Sequence, residues 1–147
     1  WDPVPVPISG ARAIRLHDII ALADDNVVAV GWRIPEGDGW KRESVAAHWN
    51  GTAWSPVILP GGPGVVSQLV KGTKNLWGIG SGPEHRVYIV VWSGSTWKPV
   101  QGPHLPGRRL TLHGGAILPG DEVLVAGETS DSPNSILPFA AVLERAV

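Results

Sequence analysis

The sequence predicts an all-β protein built from a repeated unit of short strands. In Val45–Val57, VAAHWNGTAWSPV, the Asn50-Gly51 dipeptide separates two apolar runs, which is typical of a β-hairpin with a tight type I′ turn. A related hairpin returns at Val87–Val100, VYIVVWSGSTWKPV. The 147 residues also include 19 Gly and 14 Pro spread along the chain, which is the turn chemistry that many short strands require.

Composition argues against several classes of protein. The formal net charge is −1 without a block of like charge, which disfavours a nucleic-acid-binding domain. The absence of cysteine rules out disulfides and thiolate metal sites. No apolar run approaches the ~20 residues of a membrane span. With 43% hydrophobic residues the chain can bury a core. We expect the protein to hold neither a metal nor a cofactor.

The repeated unit has four strands, which we label a to d. Strand d begins with tryptophan and has proline at its third position, which suits a sheet edge; it is predicted at Trp1–Pro7, Trp54–Pro60 and Trp97–Pro103. Strand a ends in a polar turn and is predicted at Ala13–Ala23, Val65–Val70 and Leu110–Leu118. The first of these, AIRLHDIIALA, also fits helical spacing, but glycine and β-branched residues in the other two copies favour a strand.

Strand b carries a glycine at the same place in each copy and is predicted at Val27–Trp32, Leu76–Ser81 and Val123–Glu128. The glycines recur 49 and 47 residues apart, at Gly31, Gly80 and Gly127. A glycine inside a strand marks the close approach of another group, and we expect tryptophans of the neighbouring unit to fill that space. Strand c is almost continuously apolar, as in strands covered on both faces, and is predicted at Val45–Trp49, Val87–Trp92 and Phe139–Leu143.

The copies are offset by one strand. The third ends after strand c, whereas a strand d precedes the first. Repeats of four short strands at this spacing indicate blades of a β-propeller. We therefore predict one domain with three four-stranded blades per chain, at about 8–60, 61–103 and 104–147, with residues 1–7 as the closing strand.

The motif carried by Asn26–Gly31 (NVVAVG) and Trp49–Trp54 (WNGTAW) resembles the tryptophan-rich β-propeller repeats common in secreted actinobacterial proteins. The second copy keeps the motif in Asn75–Gly80 and Trp92–Trp97, whereas the third departs from it after Val142. The resemblance covers nearly the whole chain and implies a bacterial protein with a secreted or extracellular location, although a cytoplasmic location stays open. It says nothing about activity, because propellers host many unrelated functions.

Three blades are fewer than the roughly four to eight with which propellers close, so two apolar blade faces would stay uncovered. Two solutions follow. Two copies can join head to tail, each chain being half of a six-bladed ring whose N-terminal strand completes the other chain's last blade. Alternatively, another chain completes a longer ring.

Long loops are predicted on one face of the blades: Arg33–Ser44, Pro60–Gly64, Gly82–Arg86, Gly102–Arg109 and Glu128–Leu137. Arginine and histidine beside an aromatic side chain suit an anionic or sugar-like ligand. The candidate ligand-binding residues in these loops are Arg33, Trp40, His85, Arg86, His104, Arg108 and Arg109.

Catalytic motifs are absent: neither H-E-x-x-H nor G-x-S-x-G occurs. The sequence therefore favours a non-catalytic binding scaffold whose loops meet a carbohydrate, peptide or protein ligand. The alternative is an enzyme, a hydrolase, lyase or cyclase, with an active site at the channel mouth. It would use the arginines and some of His17, His85, His104 and His113. A third hypothesis is a structural module whose partner is itself.

Overall fold

The computed structural model describes residues 2–37, 39–83, 86–102, 109–120, 122–132 and 135–143. These residues form three antiparallel β-sheets and no α-helix, which confirms the all-β class. Sheet 1 contains β1 (Ala11–Ala23), β2 (Asn26–Pro35), β3 (Glu43–Trp49) and β4 (Trp54–Pro63). Sheet 2 contains β5 (Val65–Lys71), β6 (Leu76–Ser81), β7 (Val87–Trp92) and β8 (Trp97–Gln101). Sheet 3 contains β9 (Arg109–Ile117), β10 (Val123–Ser132) and β11 (Ser135–Leu143).

The strands follow chain order across each sheet, as the a-to-d assignment predicts. The ambiguous first segment is strand β1, not a helix. Sheet 3 has three strands among the described residues rather than the four of a complete blade. In this single chain, residues 2–9 lie outside the strands, so their pairing with another copy stays a prediction. Over the described ranges, no helix has the length and apolar character needed to cross a membrane.

Several predicted loops are instead continuations of strands. β2 reaches Pro35 and β3 begins at Glu43, so Arg33 lies in a ladder opposite Glu43. β4 runs on to Pro63, which leaves little of the predicted loop Pro60–Gly64. The predicted loop Glu128–Leu137 is mostly a continuation of β10 and β11, which pair from Val123 to Ser132. Backbone pairing extends past the apolar part of each strand because every added ladder bond satisfies polar groups.

The hairpin turn at Asn50-Gly51 differs from the predicted type I′ form. Trp49 pairs with Trp54, so the loop between them has four residues rather than two. Asn50 Oδ1 accepts hydrogen bonds from the backbone N–H groups of Thr52 at 3.1 Å and Ala53 at 2.9 Å, and Gly51 supplies a positive φ of 91°. The hairpin at Trp92 repeats this loop length, with Gly94 at φ 93°. The Asn-Gly signal locates the turn. The four-residue loop is closed in both hairpins by the same backbone bond, from the N–H of Asn50 to the carbonyl of Ala53 at 3.3 Å and from the N–H of Ser93 to the carbonyl of Thr96 at 3.2 Å.

A β-bulge explains the recurring glycine of strand b. β1, β5 and β9 each have a register shift opposite the glycine, at His17, Ser67 and His113. A Cβ added at Gly80 would overlap the carbonyl oxygen of Val65, and the same holds for the equivalent glycines of the other two sheets. The expectation that tryptophans fill this space is therefore wrong: the backbone of strand a in the same sheet fills it.

The three sheets stack face to face with sheet 2 in the middle. One core cluster joins sheets 1 and 2 through Val28, Val30, Val66 and Val90, among others. The second joins sheets 2 and 3 and includes Trp77, Ile79, Ile89, Leu110, Leu112 and Val125. In sheets 2 and 3 we call the face that points to the preceding sheet the front face, and in sheet 1 we give this name to the face at the equivalent register positions. The opposite face of each sheet is its back face.

Side-chain bonds tie each sheet to the backbone of the first strand of the next sheet. Asp18 of β1 accepts the N–H of Leu69 on β5 at 2.8 Å, and Gln68 of β5 donates to the carbonyl of His113 on β9 at 2.8 Å. The fully buried Ser44 hydroxyl accepts the N–H of Val66 at 3.1 Å. Each sheet interface therefore combines apolar burial with directional bonds that fix how far the sheets slide.

Candidate functional site

Three of the predicted ligand-binding residues, His85, His104 and Arg108, lie outside the described residues. Arg33 lies within the described residues, and its guanidinium is already bonded to other groups of the chain. Its Nε and Nη2 each lie 3.0 Å from Glu43 Oε2, and its Nη1 donates to the carbonyl of Ser9 at 3.1 Å. A guanidinium held by three bonds on a pairing strand stabilises the end of sheet 1.

The other predicted arginines belong to different sheets. Arg86 is exposed just before β7, where its carbonyl accepts the N–H of Gly82 at 2.8 Å and closes the connection from β6. Arg109 is exposed at the start of β9, opposite Ser130. Trp40 belongs to the connection from β2 to β3 in sheet 1. The predicted set is thus distributed over three sheets.

A group of arginines and tryptophans gathers around the end of sheet 1 that carries the β2–β3 connection. The Arg12 guanidinium carbon lies 4.1 Å from the centroid of the Trp40 ring, and Arg12 Nη2 donates to the carbonyl of Gly39 at 3.0 Å. The Trp32 ring has Arg42 at 4.5 Å and Arg15 at 6.0 Å from its centroid. We call these residues the rim cluster: Arg12, Arg15, Trp32, Trp40 and Arg42.

Local structure positions the rim cluster. Arg15 on β1 is the direct register partner of Trp32 on β2, so their side chains meet across the ladder. Gly37 and Gly39, with φ of 81° and 64°, turn the chain back after β2 and present Trp40 to solvent. Of these five residues sequence reasoning selected Trp40 alone. The pairing of Arg15 with Trp32 depends on the bulges of β1, of which the sequence shows only Gly31 on the partner strand.

The described histidines form separate pairs. His17 lies 6.5 Å from the Trp32 ring, ring centre to ring centre. His48 Nε2 lies 2.8 Å from Asn26 Oδ1, and His113 Nε2 lies 3.7 Å from Glu128 Oε2 on an exposed surface. Over the described part of the chain, no group of three or more His, Cys, Asp or Glu side chains is placed to hold a metal ion.

Two apolar sheet faces lie at the ends of the stack. On the front face of sheet 1, Ile14, Leu16, Ile19 and Ile58 are all exposed. Trp49 and Trp54 pair on this face with ring centres 5.7 Å apart. On the back face of sheet 3, small and apolar side chains are exposed at Ala116, Ala126, Ile136, Ala140 and Val142. Exposed apolar faces of this kind mark interaction surfaces in soluble proteins.

Comparison with known proteins leaves the resemblance to tryptophan-rich repeats as a prediction from the hairpin and glycine pattern. No protein-family model, no curated protein and no solved structure matches the chain.

Proposed function

We propose that this chain is a non-catalytic binding scaffold in which two copies associate head to tail into a closed ring of six sheets, a β-propeller. The observation that carries the proposal is that the two end faces are the two halves of an interface that the chain makes twice within itself. A front face packs on a back face between sheets 1 and 2, and again between sheets 2 and 3.

The front face of sheet 1 repeats the buried front faces of the other sheets. Leu16 and Leu112 occupy the same place, because each lies opposite the strand-b glycine beside the bulge. Leu112 is 6% exposed beneath sheet 2, whereas Leu16 is 38% exposed. Ile19 is likewise 60% exposed, and its counterpart Leu69 is 9% exposed. Covering these side chains would release apolar surface from water at roughly 25 cal/mol per Å².

The back face of sheet 3 repeats the buried back face of sheet 2. Ala140 corresponds to Ile89, which is fully buried, yet Ala140 is exposed. Val142 corresponds to Val91 of sheet 2 and to His48 of sheet 1, and is 48% exposed. Within the chain, His48 meets Trp92 across the first interface, with ring centres 5.9 Å apart. The equivalent contact in the ring joins Val142 to Trp49 of the other copy.

The closing strand fits the same repetition. In sheets 1 and 2 the fourth strand starts with Trp-x-Pro-Val. Its valine lies opposite the residue three positions before the tryptophan that ends the third strand, as in Ala46 with Val57 and Ile89 with Val100. The chain has a further copy of this motif at residues 1–4. In the same register Val4 would lie opposite Ala140, along the edge of β11 that does not pair with β10. A heterologous contact of this kind closes a ring when the rotation per chain is half a turn.

The first test is the mass in solution. A ring of two copies predicts a light-scattering mass of twice the chain's 15.6 kDa over a range of concentrations. A mass of one chain, or a series of open multiples that grows with concentration, would contradict the ring.

The second test is a cysteine cross-link, which is clean because the chain contains no cysteine. Cross-strand partners have Cβ atoms about 4.5–5.5 Å apart, close to the span of a disulfide. Val4→Cys with Ala140→Cys should form a reducible covalent dimer on mild oxidation. The matched control, Val4→Cys with Ala141→Cys, places the second cysteine on the opposite face and should cross-link far less. A disulfide within one chain, or equal yields for the two pairs, would contradict the exchange of strands.

A further inference from the structure

We propose that the rim cluster binds an acidic carbohydrate, namely a glycan that contains uronic acid residues. The inference rests on the proposed function, because it names the ligand class for the scaffold. The carbohydrate site differs from the proposed ring interface, because all five residues of the rim cluster come from one chain.

Trp40 supplies the apolar platform. It is 79% exposed, the highest value among the large apolar side chains that the structure describes. An indole ring is rigid and costs little entropy to hold, and its flat face matches the C–H face of a pyranose ring. A single exposed tryptophan on a loop shaped by two positive-φ glycines is therefore suited to stacking against a sugar.

Arg12 supplies an oriented cation beside that platform. Its stacking on Trp40 and its bond to the Gly39 carbonyl fix the plane of the guanidinium before any ligand arrives. The other N–H groups of the guanidinium stay available for a carboxylate, which a planar fork binds with two hydrogen bonds. Because Arg12 covers one face of the indole, a sugar would stack on the opposite face, and its exocyclic carboxylate would reach the fork around the edge of the ring.

Arg15, Trp32 and Arg42 form a second position of the same kind. Two guanidinium groups approach one indole ring there. Arg12 lies in the first bulge of β1 and Arg15 lies further along the same strand, so we expect them to contact different sugar units of one glycan chain.

The charge balance decides between classes of anion. The segment 33–44 carries three basic and three acidic residues, so the excess positive charge of the rim comes from Arg12 and Arg15. Nucleic acids and heavily sulfated glycans are bound by longer basic stripes, because each phosphate or sulfate contact needs its own cation. A glycan with one carboxylate per sugar, read by two arginines and stacked on indole rings, fits the observed charges better.

The test is isothermal titration of the protein with an oligogalacturonate and with its methyl-esterified form, which keeps the sugar faces and removes the charges. We expect the acid form to bind and the ester to bind at least about tenfold more weakly. The ester lacks the charged carboxylate, and the loss of one charge-assisted bidentate hydrogen bond weakens affinity by about that much. Trp40→Ala and Arg12→Ala should each weaken binding about tenfold, and Arg12→Lys less, because it keeps the charge and loses the planar fork. Lys98→Ala removes an exposed charge on β8 and should change nothing.

Circular dichroism is the control for folding of each variant. We expect Trp40→Ala to fold, because the Trp40 side chain is exposed. The proposal is overturned if the acid form does not bind, if the ester binds equally, or if Trp40→Ala and Arg12→Lys both leave affinity unchanged. Preference for single-stranded DNA or heparin over the oligogalacturonate would also overturn it. The titration is repeated with Ile19→Lys protein, in which association of copies should be lost. Binding by that variant supports a one-chain site even if the ring fails, and loss of binding there overturns the one-chain site while the ring stands.

Discussion

Tyr88 is the single tyrosine of the chain and lies on the front face of sheet 2, where its hydroxyl donates to the carbonyl of Pro60 in sheet 1. It is 7% exposed, and burial raises the pKa of its phenol from 10.0 to about 12. Ionisation would place a negative charge between two sheets. The native protein is therefore expected to resist deprotonation at a pH where an exposed tyrosine is already ionised.

The predicted titration is simple to measure, because tyrosinate absorbance near 295 nm reports this one residue. In the folded protein the midpoint should lie at about 12, and in urea at about 10.0. Since the unfolded state loses its proton first, the free energy of unfolding should fall as the pH rises from 10 to 12. Tyr88→Phe cannot ionise and should lack this part of the decrease, which separates it from lysine titration. A native midpoint near 10 would contradict the buried phenol.

Single residues were the hardest part to predict from the sequence. Asn50-Gly51 marks the right turn, but the loop length follows from the backbone bond that closes the loop, which both hairpins share although the second has Ser93 in place of Asn50. Arg33 has the chemistry of a ligand-binding residue, yet its ion pair with Glu43 forms because β2 and β3 extend beyond their apolar residues. The sequence shows which charges a loop holds but not which of them are already paired.

Strands were predicted well because each copy of the unit confirms the others. β6 and β7 have the predicted bounds, and β1 would have been ambiguous without its two counterparts. The bulges were not predicted, because a bulge leaves a signal only on the partner strand, as a glycine. Gly31, Gly80 and Gly127 were noticed for their spacing, but their cause, the carbonyl of strand a, needs three-dimensional register.

The bulge makes a prediction for the centre of sheet 2. Gly80→Ala should destabilise the protein by about 3 kcal/mol or more, because the new Cβ overlaps the Val65 carbonyl and a ladder cannot shift without breaking its bonds. The measurement is urea unfolding at a fixed protein concentration, since association would shift the midpoint.

The control is Gly120→Ala in the turn between β9 and β10, where the added Cβ meets nothing closer than the Glu122 side chain at 3.9 Å. It should stay within about 1 kcal/mol of the native protein, because the smaller entropy of unfolded alanine offsets minor crowding. Similar losses in both variants would mean that the bulge tolerates a side chain.

At the scale of the whole molecule, the stack of sheets follows from one packing rule applied repeatedly. Each front face carries larger aliphatic side chains beside the bulge, and each back face accepts them, as Val66 and Leu69 pack with Val28 and Val30. The sequence predicts the copies and their offset, whereas the cover of the outermost faces depends on contacts beyond the single chain. The association of two chains decides it, and the orientation of one chain relative to the other matters as much as the apolar area of the two end faces.

Orientation can be tested by complementation between two variants. Ile19→Lys places a charge on the front face of sheet 1, and Val142→Glu places one on the back face of sheet 3; both sites are exposed in the single chain, so folding should persist. Each variant alone should be a monomer, because a head-to-tail pair would meet the charge at both of its contacts. In an equimolar mixture, the native front face of one variant can pack on the native back face of the other, so light scattering should show a dimer.

Association through two front faces or two back faces predicts a different result: one variant alone would still associate, and mixing would restore nothing. Trp40→Lys, at an exposed apolar residue of the β2–β3 connection outside both end faces, is the matched control and should leave association intact.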